Sequence, residues 1–134
     1  MARRREFDLE TFFIALGDRT RLRLLNLMGG RETCVCYFIE VLDLPQPKIS
    51  RHLAYLRRAG IVAARREGKW MHYRIVMPEH VGAAKILLDT LEALKDEREM
   101  RADSARMTKA CCSLKVTGVP EGAPMPLQLK AARR

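Results

Sequence analysis

Four cysteines are the residues of this chain best suited to chemistry: Cys34 and Cys36 at Cys-X-Cys spacing, and the adjacent Cys111 and Cys112. In a reducing compartment they are expected to be thiols, which favours metal binding or redox chemistry over a disulfide framework. Thr33 can cap a helix running over residues 34–42, and a thiolate just inside a helix N-terminus is stabilised by unpaired backbone N–H groups. Cys34 is thereby a competent soft ligand. Two helical residues at i and i+2 lie about 200° apart, so Cys34 and Cys36 are expected not to face one ion while that first turn stays wound. Ion binding is then expected to unwind it. The plainer alternative is that small buried thiols simply fill space.

The second chemical feature is charge. The chain carries a net charge of +9 from 25 Lys and Arg against 16 Asp and Glu. Residues 46–76 hold Lys48, Arg51, Arg57, Arg58, Arg65, Arg66, Lys69 and Arg74 against Glu67 alone, whereas residues 1–45 are balanced. A concentrated cationic segment matches a polyanion, and nucleic acid is the first candidate because counterion release rewards it. A merely solvated basic surface is the competing reading.

The elements that must position these groups follow from apolar periodicity. Asp8 can cap a first helix with Leu9, Phe12, Phe13 and Leu16 recurring at helical spacing, stopped by Gly17. Asp18 can cap a second, with Leu22, Leu25 and Met28 inward and Gly29-Gly30 as the break. In the third, Val35, Phe38, Ile39 and Leu42 share a face. A fourth begins near Pro47, which suits a first turn, and ends at Gly60. Its Ile49, Leu53 and Leu56 line one side and leave Lys48, Arg51, Tyr55 and Arg58 opposite. Residues 61–66 and 70–75 then alternate as two strands of a hairpin turned through Glu67-Gly68. A last long helix is expected from Pro78 to Arg98, with Val81, Ile86 or Leu87, Leu91 and Leu94 inward. Pro120, Gly122, Pro124 and Pro126 mark a flexible tail.

With 134 residues and 48% hydrophobic content the chain fits one domain, residues 1–98, followed by a tail, 99–134, that carries Cys111 and Cys112. The fold class is mainly α with a small β-hairpin, a winged helix-turn-helix in the order α-α-α-α-β-β-α. No apolar run reaches membrane-spanning length and no hydrophobic stretch follows the first arginines, so a cytoplasmic protein is expected. Enzyme classes find no support: there is no Cys-X-X-Cys, no phosphate-cradling glycine loop and no His-Glu-X-X-His.

The stretch ETCVCYFIEVLDLPQPKISRHLAYLRRAGIVAARREGKWMHYRI closely resembles the ArsR/SmtB family of metal-sensing repressors, in its arsenical-responsive branch. The resemblance covers residues 9 to about 98 and is densest in QPKISRHLAYLR and EGKWMHYR. It implies a homodimer, joined through its first and last helices, that holds double-stranded operator DNA of inverted-repeat sequence until arsenic(III) or antimony(III) binds, with no organic cofactor. Carried over residue by residue, the DNA contacts are Gln46, Lys48, Ser50, Arg51 and His52 on the recognition helix and Arg65, Arg66 and Lys69 on the wing. These residue types suit base edges and phosphates. His52 also reads as a packed histidine at the core edge, and His72 and Trp70 as structural.

The family pattern in which a third cysteine follows three residues after the second is broken here by Ile39. Trivalent arsenic favours three sulfurs, so Cys111 or Cys112 is the natural replacement, from the same or the other subunit. Three alternatives remain open: a cadmium, lead or zinc sensor using all four cysteines, a thiol-oxidation sensor, and a non-specific nucleoid DNA-binding protein.

Overall fold

A computed structural model describes residues 7–112 and 127–128. In chain order the elements are α1 (Leu9–Leu16), α2 (Arg19–Met28), β1 (Arg31–Cys34), α3 (Val35–Leu42), α4 (Gln46–Arg58), β2 (Val62–Glu67), β3 (Trp70–Ile75), α5 (Val81–Leu94), α6 (Arg98–Cys112) and β4 (Leu127–Gln128). The helices therefore dominate, as the sequence pattern implies, and the hairpin of β2 and β3 stands as a wing beside α3 and α4. No helix among the described residues is long and apolar enough to cross a membrane.

Local signals act where their chemistry predicts. The Asp18 carboxylate accepts from the Arg21 N–H at 3.1 Å and caps α2. Asp8 occupies the cap position of α1, but its carboxylate takes the Thr11 hydroxyl instead of a backbone N–H. Gly60 follows α4 with a φ of 81°, a conformation that favours glycine and lets the chain reverse into β2. Ile49, Leu53 and Leu56 of α4 are fully buried, while Lys48, Ser50 and Arg51 face outward.

Three expectations give way. The first concerns Arg31–Cys34, which is a strand and not a helix start: Thr33 pairs with Tyr73 and Cys34 with His72 in antiparallel register, adding β1 to the hairpin. The sheet order is β2-β3-β1-β4. Four residues with no alternation carry no local strand signal; the partner strand supplies it.

The second is the long final helix. It breaks at Lys95–Glu97 and resumes as α6, so residues 98–112 are helical where the sequence reads as flexible tail. Residues 113–126 and 129–134 lie outside the described residues. The third is Val81, which is 79% exposed; Leu87 and Leu94 are buried and Leu91 partly buried as expected, and Ala83 takes the inward place at the start of α5.

Because Leu53 sits at the centre of the α4 contact with the rest of the core, Leu53→Ala is expected to cost about 2–5 kcal/mol in urea denaturation. The polar side chains on the opposite face of α4 are untouched by that change.

Candidate functional site

The thiol pair sits at the joint where β1 becomes α3. Cys34 is the N-cap residue, with extended backbone (φ −69°, ψ 141°), and Cys36 lies in the first helical turn. An N-cap side chain folds back over that turn, where a serine or aspartate would meet the free N–H groups. The Cys34 sulfur makes no such cap hydrogen bond; its Sγ lies 3.1 Å from the Cys36 Sγ, both buried, with the Cys36 thiol donating. The expected angular conflict between i and i+2 is therefore absent, because Cys34 is not a helical residue. Paired sulfurs and a regularly wound α3 coexist, and no unwinding is needed to aim both at one atom. The cap is Cys34 itself; Thr33 is buried in β1, and its Oγ1 has no hydrogen-bond partner among the described residues.

This arrangement separates the two thiols electrostatically. Cys34 is lowered to about 7, first by the Cys36 thiol donating to it, and then, against burial, by the Cys36 and Val35 backbone N–H groups. Cys36 is pushed upward by the same bond and by burial. Cys34 is therefore the first of the two to ionise, with the Cys36 thiol as its donor. Their separation exceeds the ~2.05 Å of a disulfide and falls short of the ~3.8 Å between two sulfurs that share a tetrahedral ion at about 2.3 Å bonds.

The surroundings come from three elements. On β1, buried Glu32 accepts a bidentate pair from Arg65 of the wing, at 2.6 Å from Nη2 and 3.0 Å from Nε. The Arg65 guanidinium holds the Glu32 carboxyl below the usual range. On α6, Cys111 is buried, and its Sγ is 3.9 Å from the Arg31 Nη1. The Tyr37 phenol is pushed upward by burial first and then by the Cys111, Cys36 and Cys34 sulfurs beside it. Among the described residues no three His, Cys, Asp or Glu side chains are already gathered closely enough to hold a metal ion. Cys112 is the last residue of α6, and its side chain lies outside the described residues.

The eight residues expected to meet DNA fall into two sets. Gln46, Lys48, Ser50 and Arg51 are exposed along the first half of α4, and Arg66 and Lys69 on the wing, where the Lys69 Nζ sits 5.5 Å over the Trp70 ring. His52 and Arg65 are engaged by the protein. The His52 Nδ1 is 3.2 Å from Nη1 of Arg21, a buried guanidinium that also donates to the Ala15 and Ile14 carbonyls. Burial, more than any neighbouring charge, lowers the His52 pKa. Arg65 is the outer end of the Glu32 bridge. Sequence reasoning missed Arg21 and Glu32; each stands beside other charged residues, Arg19 and Arg23 for the one and Arg31 for the other, so nothing local marks it as buried.

Comparisons with known proteins bear on the family and the fold. The family model described as "Bacterial regulatory protein, arsR family" matches residues 18–64. The arsenical resistance operon repressor of Escherichia coli K12 is 38% identical over 102 residues, covering 75% of this chain and 86% of that protein. The arsenic resistance transcriptional regulator ArsR1 of Pseudomonas putida KT2440 is 52% identical over 64 residues, 47% of this chain and 50% of that protein. Among solved structures, the transcriptional repressor BigR from Xylella fastidiosa aligns with a TM-score of 0.52 at 28% identity, covering 65% of this chain and 82% of that one.

The thiol pair has a titration signature. Thiolate ultraviolet absorbance of the reduced protein is expected to rise in a step near pH 7 that belongs to Cys34 and disappears in Cys34→Ser. Cys36→Ala removes the donor that lowers Cys34, so it should move the step to higher pH. A step that stays in place in the Cys36 variant contradicts the assignment.

Proposed function

This chain belongs to the arsR family of bacterial regulatory proteins and is a transcriptional repressor of that family, and from that premise we propose that it is a homodimer bound to an inverted-repeat operator and released by arsenic(III) or antimony(III). The observation that carries the proposal is the 3.1 Å Cys34–Cys36 sulfur pair at the base of the helix preceding the recognition helix. Cys34 and Cys36 supply two sulfurs, and the third comes from Cys111 or Cys112. Gln46, Lys48, Ser50 and Arg51 face the major groove, Arg66 and Lys69 reach phosphates, and His52 and Arg65 brace the two surfaces. The second copy covers the exposed apolar side chains Leu9, Phe13 and Ile14 of α1 and Val81, Ile86 and Leu88 of α5. Its site of action is cytoplasmic DNA, and no residue is assigned a catalytic role.

Release does not require the start of α3 to melt. Drawing a third sulfur toward the pair and widening the Sγ–Sγ separation displaces the β1–α3 joint. Glu32, two residues before Cys34, passes that displacement to the wing through Arg65, while α3 passes it to α4 by direct packing. A shift of about 10⁴ in relative affinity corresponds to about 5.5 kcal/mol of differential binding, within reach of two or three metal–thiolate bonds.

The paired sulfurs also support a second reading, thiol oxidation. A hydroperoxide would oxidise the Cys34 thiolate to a sulfenic acid, releasing the alcohol or water, and the Cys36 thiol would then condense with it to a disulfide and expel water.

Purified protein is expected to prefer a palindromic operator over scrambled DNA by about 10³ at fixed salt; equal affinity contradicts the repressor reading. Arsenite or antimonite should release the operator at lower concentration than cadmium, lead or zinc. Release by peroxide alone, with a Cys34–Cys36 disulfide in the product, selects the oxidation reading instead. Lys48→Ala or Arg66→Ala should each reduce the slope of log affinity against log salt by about one if the residue neutralises a phosphate.

A further inference from the structure

Helix α6 lies beyond the stretch that resembles the family and beyond residues 18–64, yet it is docked on α2 by an ionic contact and packs its apolar side chains into the cluster that holds α3. Asp103 is fully buried, a position where a carboxylate is expensive unless fully paired. Arg23 of α2 grips it in bidentate fashion, at 2.7 Å from Nε to Oδ2 and 3.0 Å from Nη2 to Oδ1, and Arg106 donates to it from the next turn. Asn26 adds bonds to the Met100 carbonyl at 3.0 Å and the Ser104 hydroxyl at 3.2 Å. An apolar residue at 103 would bury as well. What a planar fork on a carboxylate adds is register, because it fixes both the rotation and the axial position of the helix.

The register has a consequence two turns on. Positions 103, 107 and 111 share a helix face, so fixing Asp103 fixes Cys111. That thiol is buried, 3.9 Å from the Arg31 guanidinium of β1, and belongs to the same continuous core cluster as Cys34, Cys36 and Tyr37. We infer that Cys111 of the same subunit is the third sulfur of the Cys34–Cys36 site, and that the Arg23–Asp103 pair is the positioning contact that delivers it. This rests on the thiol-sensor reading above. The three sulfurs are not yet at ligating distance, so capture ends with an inward shift of the last turn of α6, which lies past Arg106, the final residue of the clamp.

The test uses the reduced full-length protein with arsenite as probe, counting thiols protected from alkylation and following the sulfur-to-arsenic charge-transfer band. The wild type should protect three thiols per arsenite. Cys111→Ser should protect two and weaken arsenite binding, whereas Cys112→Ser should still protect three. Asp103→Asn keeps the side-chain shape, and it should weaken arsenite binding by about 10–100-fold and diminish the three-sulfur band while operator affinity holds.

In a mixed dimer of one Cys34→Ser/Cys36→Ser subunit and one Cys111→Ser subunit, no three-thiol site should form. A complete site in that mixed dimer means the third sulfur crosses between subunits and overturns the inference. So does a Cys111→Ser protein that still protects three thiols. Failure of the wild type to bind arsenite overturns the thiol-sensor reading itself, and this inference with it.

Discussion

Cys34 is both the last residue of a strand and the cap of a helix, and the chemistry of the molecule depends on that double position. As a strand residue its backbone is held by pairing with His72. As a cap residue its sulfur turns over the first turn of α3 and meets Cys36. The same geometry gives the sulfur a donor thiol at the start of the helix, so placement and the lowered pKa have one leading cause. A cysteine one position further into the helix would have neither the partner nor the same access to the free N–H groups.

Around that joint the protein uses buried charge sparingly and where it connects elements. Arg21 ties the end of α1 to His52 on α4. Glu32 ties β1 to the wing through Arg65. Asp103 ties α6 to α2 through Arg23. Each buried charge carries a desolvation cost that apolar packing would avoid, and each joins two elements that apolar packing alone would leave free to slide or rotate. Two of the three lead directly away from the thiol pair or toward it, a layout suited to a switch.

Helix α6 also explains why α3 is apolar on nearly all sides. Val35, Phe38 and Leu42 meet the core expected of a helix-turn-helix, while Cys36, Tyr37 and Val41 are buried as well. Met107 and Ala110 of α6 belong to the same continuous cluster, so α3 is sandwiched and the thiols are shielded from solvent. Beyond that cluster, α1 and α5 keep exposed apolar side chains, among them Phe13, Ile14 and Val81.

Much of this was legible in the chain itself. The α4 stripe of Ile49, Leu53 and Leu56, the Asp18 cap, the glycine after α4 and the hairpin turned at Gly68 all depend on spacings of a few residues, and short-range sterics and periodicity decide them wherever they occur. The basic outward face and the soft-ligand character of Cys-X-Cys were equally local.

Whether Cys34 begins a helix or ends a strand was not, since that choice is made by hydrogen bonds to β3, a strand far along the chain. Nor was the helical state of residues 98–112, whose polar surface offers little periodicity until Arg23 and Asn26 receive it. Sequence alone determined the basic surface and the pair of thiols that this protein carries. The tertiary structure decided which sulfurs meet and which charges are held, because those outcomes depend on partners that only folding brings within a few ångströms.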